Sequence, residues 1–214
     1  MTNERVANIH WLGHASFRIE GNGLQIYIDP WQVTEGPQAD LILISHDHRD
    51  HCSPEDVAKL RGEATVIVAV SAAAEKLPGP VEIVKPGDSV TVKGVTVQVV
   101  PAYNLTKFRS PGNPFHPQAA GFVGFVLTVD DQRIYFAGDT DPIPEMAGIE
   151  CDVALLPVSG IYVMTAEEAV TAVVTLKPKV AVPMHVGRGI GGMEDTQRFK
   201  ELSPVPVAIL PMEG

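Results

Sequence analysis

The sequence predicts an α/β protein made of two β-sheets with helices packed outside them. Short apolar, β-branched runs recur along the whole chain and are separated by Gly, Pro, Asn and Asp turns. Helical patterns are interleaved with these runs, in two successive halves of strands followed by helices. The chain has 214 residues, 45% of them hydrophobic and 20% charged, enough for one generous core. No linker or low-complexity segment divides it, so one domain over residues 1–214 is expected.

The N-terminal half reads as strands over Asn8–Trp11, Ser16–Glu20, Leu24–Ile28, Leu41–Ser45 and Thr65–Ala69, with short helices at Pro54–Leu60 and Ser71–Lys76. The middle reads as strands Val81–Val84, Ser89–Val92 and Val95–Val100, with turns at Pro86-Gly87-Asp88 and Lys93-Gly94. In the second half, Gly121–Val129 and Arg133–Phe136 flank a hairpin turn at Asp130-Asp131. Strands Val153–Leu156, Val180–Met184 and Val205–Leu210 and helices Thr165–Leu176 and Glu194–Leu202 follow. Thr165 and Glu168 have the spacing of a capping box. The 102–118 segment is a long loop rich in Pro, Asn and Gly, a length that points to function, here the substrate rim.

The chemistry is concentrated in His46-Asp47-His48-Arg49-Asp50-His51, which directly follows the apolar run LILIS. Open α/β sheets bind ligands at the carboxyl ends of their strands. Imidazole and carboxylate are ligands for zinc, manganese and iron. Three histidines and a spare aspartate exceed one tetrahedral ion with an open position, so the cluster points to two ions sharing a site. A solvated polar turn is the competing reading, but it would not require this composition. Asp47 and Arg49, between the ligand types, read as structural or solvent-facing.

Three later segments supply further donors. RIYFA ends in Gly138-Asp139-Thr140, where the glycine allows close backbone approach and Asp139 is able to bridge two cations. AVPMH ends in His185 before a glycine-rich loop. His116 lies in the stiff segment Asn113-Pro114-Phe115-His116-Pro117. Asp29, at the end of LQIYI, is placed to accept the second N–H of a metal-bound histidine; an ordinary Asp-Pro turn is its alternative. His14, in the Gly13-His14 turn, is a pocket or acid candidate, or else a satisfied turn histidine. Lys107 and Arg109 lie in the long loop and are able to attract a phosphate or carboxylate, with a solvated loop as the alternative.

The order HDHRDH, His116, GDT, MH resembles the metallo-β-lactamase superfamily. WLGHASFRI, YIDPW, VPAYN, GDTD-PIPEM and VALLPVSG are similar to its small stand-alone metal-dependent hydrolases, related to the ascorbate-lactone hydrolase and N-acyl-phosphatidylethanolamine phospholipase D branch. The similarity runs from about residue 9 to about residue 202. It implies a four-layer αββα sandwich with metals at one edge between the sheets. It implies that His46 and His48 hold a first metal with a third histidine, that Asp50, His51 and His185 hold a second, and that Asp139 bridges them. In many relatives the third histidine follows the strand that here ends in Val99-Val100-Pro101-Ala102-Tyr103-Asn104. This chain has Asn104 there, and His116 is the histidine that remains in the intervening segment. His116 is assigned as the ligand, with Asn104 as the alternative.

These readings lead to a metal-dependent hydrolase with two divalent ions, zinc first and manganese or iron as alternatives. A metal-bridging hydroxide would attack an ester, lactone or phosphodiester, with Asp50 able to take a proton. The rival readings are an iron-dependent redox enzyme on the same fold and a non-catalytic metal-stabilised binding protein. The expected partner is a small molecule, compatible with an anion. A formal net charge of −10 disfavours nucleic acid. No apolar run approaches the ~20 residues of a membrane span, and MTNERVANIH lacks a signal peptide's apolar stretch, so a cytoplasmic protein is expected. Cys52 and Cys151 suggest no disulfide framework. The sequence leaves the oligomeric state open.

Overall fold

In the computed structural model, which describes residues 2–213, two six-stranded sheets form the body of the molecule. Met1 and Gly214, the ends of the expected domain, lie outside the described residues. The first sheet runs in chain order: β1 (Ile9–Gly13), β2 (Ser16–Gly21), β3 (Leu24–Ile28), β4 (Ala39–Ile44), β5 (Arg61–Val70) and β6 (Glu82–Val84). The next strands are β7 (Ser89–Val92), β8 (Val95–Pro101), a two-stranded ribbon of β9 (Phe108–Ser110) and β10 (Asn113–Pro114), then β11 (Val123–Val129), β12 (Gln132–Phe136), β13 (Val153–Pro157) and β14 (Val180–Met184). The second sheet has the order β14-β13-β12-β11-β8-β7. Helices α1 (Thr2–Arg5), α2 (Pro54–Leu60), α3 (Ser71–Ala74), α4 (Ala166–Leu176) and α5 (Met193–Leu202) complete the chain.

The first sheet has two antiparallel and three parallel pairings and the second three antiparallel and two parallel, and the turn chemistry decides which. Lys93-Gly94 and Asp130-Asp131 form two-residue turns in which both residues have positive φ, the geometry that closes a twisted hairpin. They set Val92 opposite Val95 and Val129 opposite Gln132. The parallel pairs β3–β4–β5–β6 and β12–β13–β14 need crossovers, supplied by α2 between β4 and β5 and by α4 between β13 and β14. Strands covered on both faces read as continuous apolar runs. Leu41–Ile44 of β4 and Val153–Leu156 of β13 accordingly have no exposed surface.

The sheets meet face to face. The Phe17 ring of β2 meets the Phe136 ring of β12 edge-on, centroids 6.3 Å apart. The Val123 N–H donates to the Ser45 carbonyl at 3.1 Å, tying the end of β4 to the start of β11. Helix α4 buries Ala166, Ala169, Ala172, Val173 and Leu176 and packs against β13 and α5, while α5 packs on β14. Its capping box is complete, since the Glu168 N–H donates to Thr165 Oγ1 and the Thr165 N–H to Glu168 Oε2. Layers of helix, sheet, sheet and helix agree with the expected sandwich. No helix among the described residues is long and apolar enough to cross a membrane.

Three expectations need correction. Strand β5 begins at Arg61, four residues before Thr65. The expected strand Val205–Leu210 is only a single bridge between Ala181 and Val207, because Pro204 and Pro206 carry no N–H for a ladder. The 102–118 segment is not all loop, since it contains the β9–β10 ribbon and ends where a 3₁₀ turn, Gln118–Ala120, begins.

Candidate metal centre

The polar residues of the site follow the carboxyl ends of the parallel strands, where backbone direction aims them into one crevice. Asp29 directly follows β3, His46 lies two residues after β4, Asp139 three after β12, and His185 one after β14. Several adopt left-handed backbone conformations that side chains seldom take: His14 at φ 54°, Asp29 at 45° and His185 at 60°. Backbone bonds hold them there, from the Asp29 N–H to the Leu43 carbonyl and from the His185 N–H to the His14 carbonyl, both 2.9 Å. Gly138, at φ 67°, sits so close to β11 that a Cβ would come within 2.7 Å of the Val123 carbonyl oxygen. That packing requires glycine in the turn that presents Asp139.

The structure brings His46, His48, Asp50, His51, His116, Asp139 and His185 together. Asp139 is at the centre. Its Oδ2 lies 3.2 Å from His116 Nε2, 3.2 Å from His185 Nε2 and 3.8 Å from His46 Nε2, and its Oδ1 lies 3.2 Å from His51 Nε2. His116 Nε2 and His48 Nδ1 face each other at 3.2 Å. His46, His48 and His116 form one group able to converge on an ion; His14, Asp50, His51 and His185 form another.

Four of these imidazoles are anchored from behind through Nδ1. The His51 Nδ1–H donates to Asp29 Oδ2 at 2.8 Å, as expected of Asp29. The His116 Nδ1–H donates to Asn104 Oδ1 at 2.9 Å. The His116 backbone N–H donates to the same atom, which identifies it as the amide oxygen. His46 Nδ1 lies 2.9 Å from Ser45 Oγ, whose hydroxyl donates in turn to Asp29. His185 Nδ1 lies 3.1 Å from Ser159 Oγ. Fixing Nδ1 leaves the Nε2 lone pair pointing inward, the usual support for a metal-binding histidine.

The inward-facing atoms of the centre are the point of strain. His46 Nε2, His51 Nε2, His185 Nε2 and Asp139 Oδ1 are buried without a hydrogen-bond partner, a costly arrangement unless a cation completes it. Burial resists ionisation of Asp139, but the facing His185 and His51 hold its carboxyl well below the usual range. Burial likewise opposes a charge on His51, yet Asp139 and Asp29 raise it well above an ordinary imidazole. Burial, with His51 alongside, pushes His46 well down. Imidazole Nε2 atoms around an ionised carboxylate are the donor set that a divalent cation takes, so the residues fit a metal.

Asp50 borders the open side. Burial opposes its charge, but the hydrogen bond with His14 Nε2 at 3.1 Å overcomes this and lowers its pKa. A pocket of about 320 Å³ opens over the cluster, lined by His48, Arg49, Asp50, Arg109, Phe115, His116, Asp139 and Tyr162.

Other expectations change. His14 does not line the pocket; it is fully buried, its Nε2 is engaged by Asp50, and burial lowers its pKa to about 4. Lys107 faces away from the pocket lining, its Nζ held 2.6 Å from Glu168 Oε2 and 3.6 Å from Asp141 Oδ1. Asn104 stands behind His116, its Nδ2 donating to the Tyr162 carbonyl at 3.0 Å. Arg109 does line the pocket. Asp47 is structural, bound to Lys76 Nζ at 2.6 Å, but Arg49 is part of the pocket wall. The residues that sequence reasoning missed are Ser45, Ser159, Arg49, Phe115 and Tyr162. Ser45, the last residue of LILIS, Arg49, inside the hexapeptide, Phe115, beside His116, and Ser159, inside VALLPVSG, lay in segments already marked, whereas Tyr162 did not.

Comparisons with known proteins bear on the family and the fold. Residues 8–185 match the beta-lactamase superfamily domain. The chain is 33% identical over 210 residues to a UPF0173 metal-dependent hydrolase from Methanopyrus kandleri, covering 90% of this chain and 89% of that one. It is 34% identical over 214 residues to another from Thermoplasma acidophilum, covering 91% and 90%. A crystal structure of a candidate metal-dependent hydrolase from Parabacteroides distasonis superposes with a TM-score of 0.85 at 32% identity, covering 96% of this chain and 93% of that one.

Proposed function

From the premise that this chain belongs to the beta-lactamase superfamily, among its metal-dependent hydrolases, we propose that it cleaves an ester, lactone or phosphodiester bond in a small molecule. The observation that carries the reading is the convergence of anchored imidazole Nε2 atoms on the buried, ionised Asp139. His46, His48 and His116 would hold one divalent ion and Asp50, His51 and His185 a second, with Asp139 between them. Zinc is the first choice, manganese or iron the alternatives. Bound there, such ions supply an activated water and polarise the electrophilic oxygen of the scissile bond.

The chain's own residues do the rest. Asp29, Ser45, Asn104 and Ser159 fix ring orientation, so the donor set is formed before substrate arrives. Asp50, with a 24% exposed side chain against 4% for Asp139, is the more exposed of the two acids that line the pocket, and His14 holds its Oδ2. The proton released when water attacks is held on the Asp50 carboxylate, with His14 positioning it. Phe122, packed 5.0 Å from the His46 ring, keeps bulk water from the rear of the first group. On this reading the whole chain acts as one unit in the cytoplasm, a reading that the free Cys52 and Cys151 support.

The test is metal stoichiometry by inductively coupled plasma mass spectrometry, on protein purified without added metal, together with a panel of esters, lactones and phosphodiesters. Two zinc or manganese ions per chain and chelator-sensitive turnover are expected. Iron with no hydrolysis would move the chemistry to redox. No bound metal after reconstitution would end the reading.

A further inference from the structure

The wall of the pocket carries a charge pattern that metal binding does not use. Arg49 projects outward from between His48 and Asp50 and is exposed. No hydrogen bond or ion pair engages its guanidinium among the described residues. Arg109 projects from β9 on the opposite segment and is also exposed, with its guanidinium carbon 5.0 Å from the Phe115 ring centroid and no hydrogen bond or ion pair among the described residues. The neighbouring cations are already neutralised, Lys76 by Asp47 and Lys107 by Glu168, each at 2.6 Å. The only acids in the lining are Asp50 and Asp139, both committed to the histidine cluster. A chain of net charge −10 thus presents two unpaired guanidiniums at one 320 Å³ opening.

Below Arg109 the wall is aromatic. The Phe115 and Tyr162 rings pack with centroids 4.6 Å apart, and Tyr162 is 43% exposed. Tyr162 has φ 66°, a conformation that presents its ring at the rim, and its carbonyl is held by Asn104 Nδ2. The side chain that orients His116 therefore also fixes the apolar wall.

We propose that the pocket selects an anionic substrate, its oxyanion clamped by Arg49 and Arg109 and its apolar portion laid on Phe115 and Tyr162. Guanidinium forks match phosphate and carboxylate oxygens in pairs, and Arg held over an aromatic ring keeps its fork free for them. The inference rests on the hydrolase reading for its chemistry but not for its binding. It names the substrate class as a phosphodiester, or an ester that carries a second acidic group.

The test separates binding from turnover. Phenylphosphonate and benzoate are titrated calorimetrically into metal-loaded and metal-free protein, and hydrolysis of bis(p-nitrophenyl) phosphate is compared with that of neutral p-nitrophenyl acetate. Arg49→Gln and Arg109→Gln should each weaken anion binding and raise KM for the phosphodiester about tenfold. Arg49→Lys should recover part of the loss, and neutral-ester turnover should change little. Arg198→Gln, whose partner is Glu167 on the surface, should match the wild type. Tighter binding of phenylphosphonate than benzoate assigns the clamp to phosphorus oxyanions; comparable binding assigns it to both. Arginine-dependent anion binding without any hydrolysis would support the clamp and count against the hydrolase reading. Efficient hydrolysis of neutral esters, with anion binding unchanged in the double variant, would overturn the clamp and leave the hydrolase intact.

Discussion

Asp139 carries the charge that four imidazoles surround. Asp139→Ala is therefore expected to remove bound metal and turnover together. Mass-spectrometric metal content at the wild-type level would contradict a bridging carboxylate. His116 and Asn104 form a second, paired prediction. His116→Ala deletes a donor and should cost one equivalent of metal even at saturating concentration. Asn104→Ala only frees the His116 ring, so it should keep the stoichiometry and lower affinity about 10–100-fold. The reverse pattern would make Asn104 the ligand. At this scale the donors other than His116 were legible because they are contiguous or follow apolar runs, and His116 because it lies in a segment stiffened by Pro114 and Pro117. Ser45, Ser159 and Arg49 were not, because a serine behind a ring or an arginine beside a pocket acquires its role only from partners distant in sequence.

The elements explain why so many polar groups are tolerated in one place. Strands β3, β4, β12 and β14 are buried and run parallel within their sheets, so their ends are rigid and the turns after them carry the strain. Helix α4 supports β13 from outside, and its first turn depends on Thr165. Thr165→Ala should lower stability by about 1 kcal/mol in urea unfolding, with kcat and KM unchanged. A loss of activity larger than the loss of stability would mean that α4 positions the site through Ser159, which bridges to Thr165. Most strands were readable from alternation and turn residues, and Lys93-Gly94 and Asp130-Asp131 closed the hairpins expected of them. The β9–β10 ribbon was hidden because its residues are exposed and carry no apolar period. The Val205–Leu210 strand failed for the opposite reason: its period is apolar, but two prolines prevent the ladder.

For the whole molecule, the site is a stability problem that metal would resolve. Folding without cations buries unpartnered imidazole nitrogens and a carboxylate oxygen between the sheets. Ions that bind only the folded chain stabilise it by mass action, about 2.7 kcal/mol per site when free metal is 100 times Kd. For a chain of this size, each kcal/mol shifts the melting temperature by roughly 2–4 °C, so each bound ion should raise it by about 5–11 °C. Melting the chelated protein against stepwise zinc or manganese additions would read this directly. Two sites of unequal affinity should give two successive rises, and His116→Ala should remove one of them while Asp139→Ala removes both. A single rise in the wild type would reduce the centre to one ion. Coincident melting of chelated and loaded protein would mean that the buried nitrogens are satisfied without metal, and the cation argument built on them would fail.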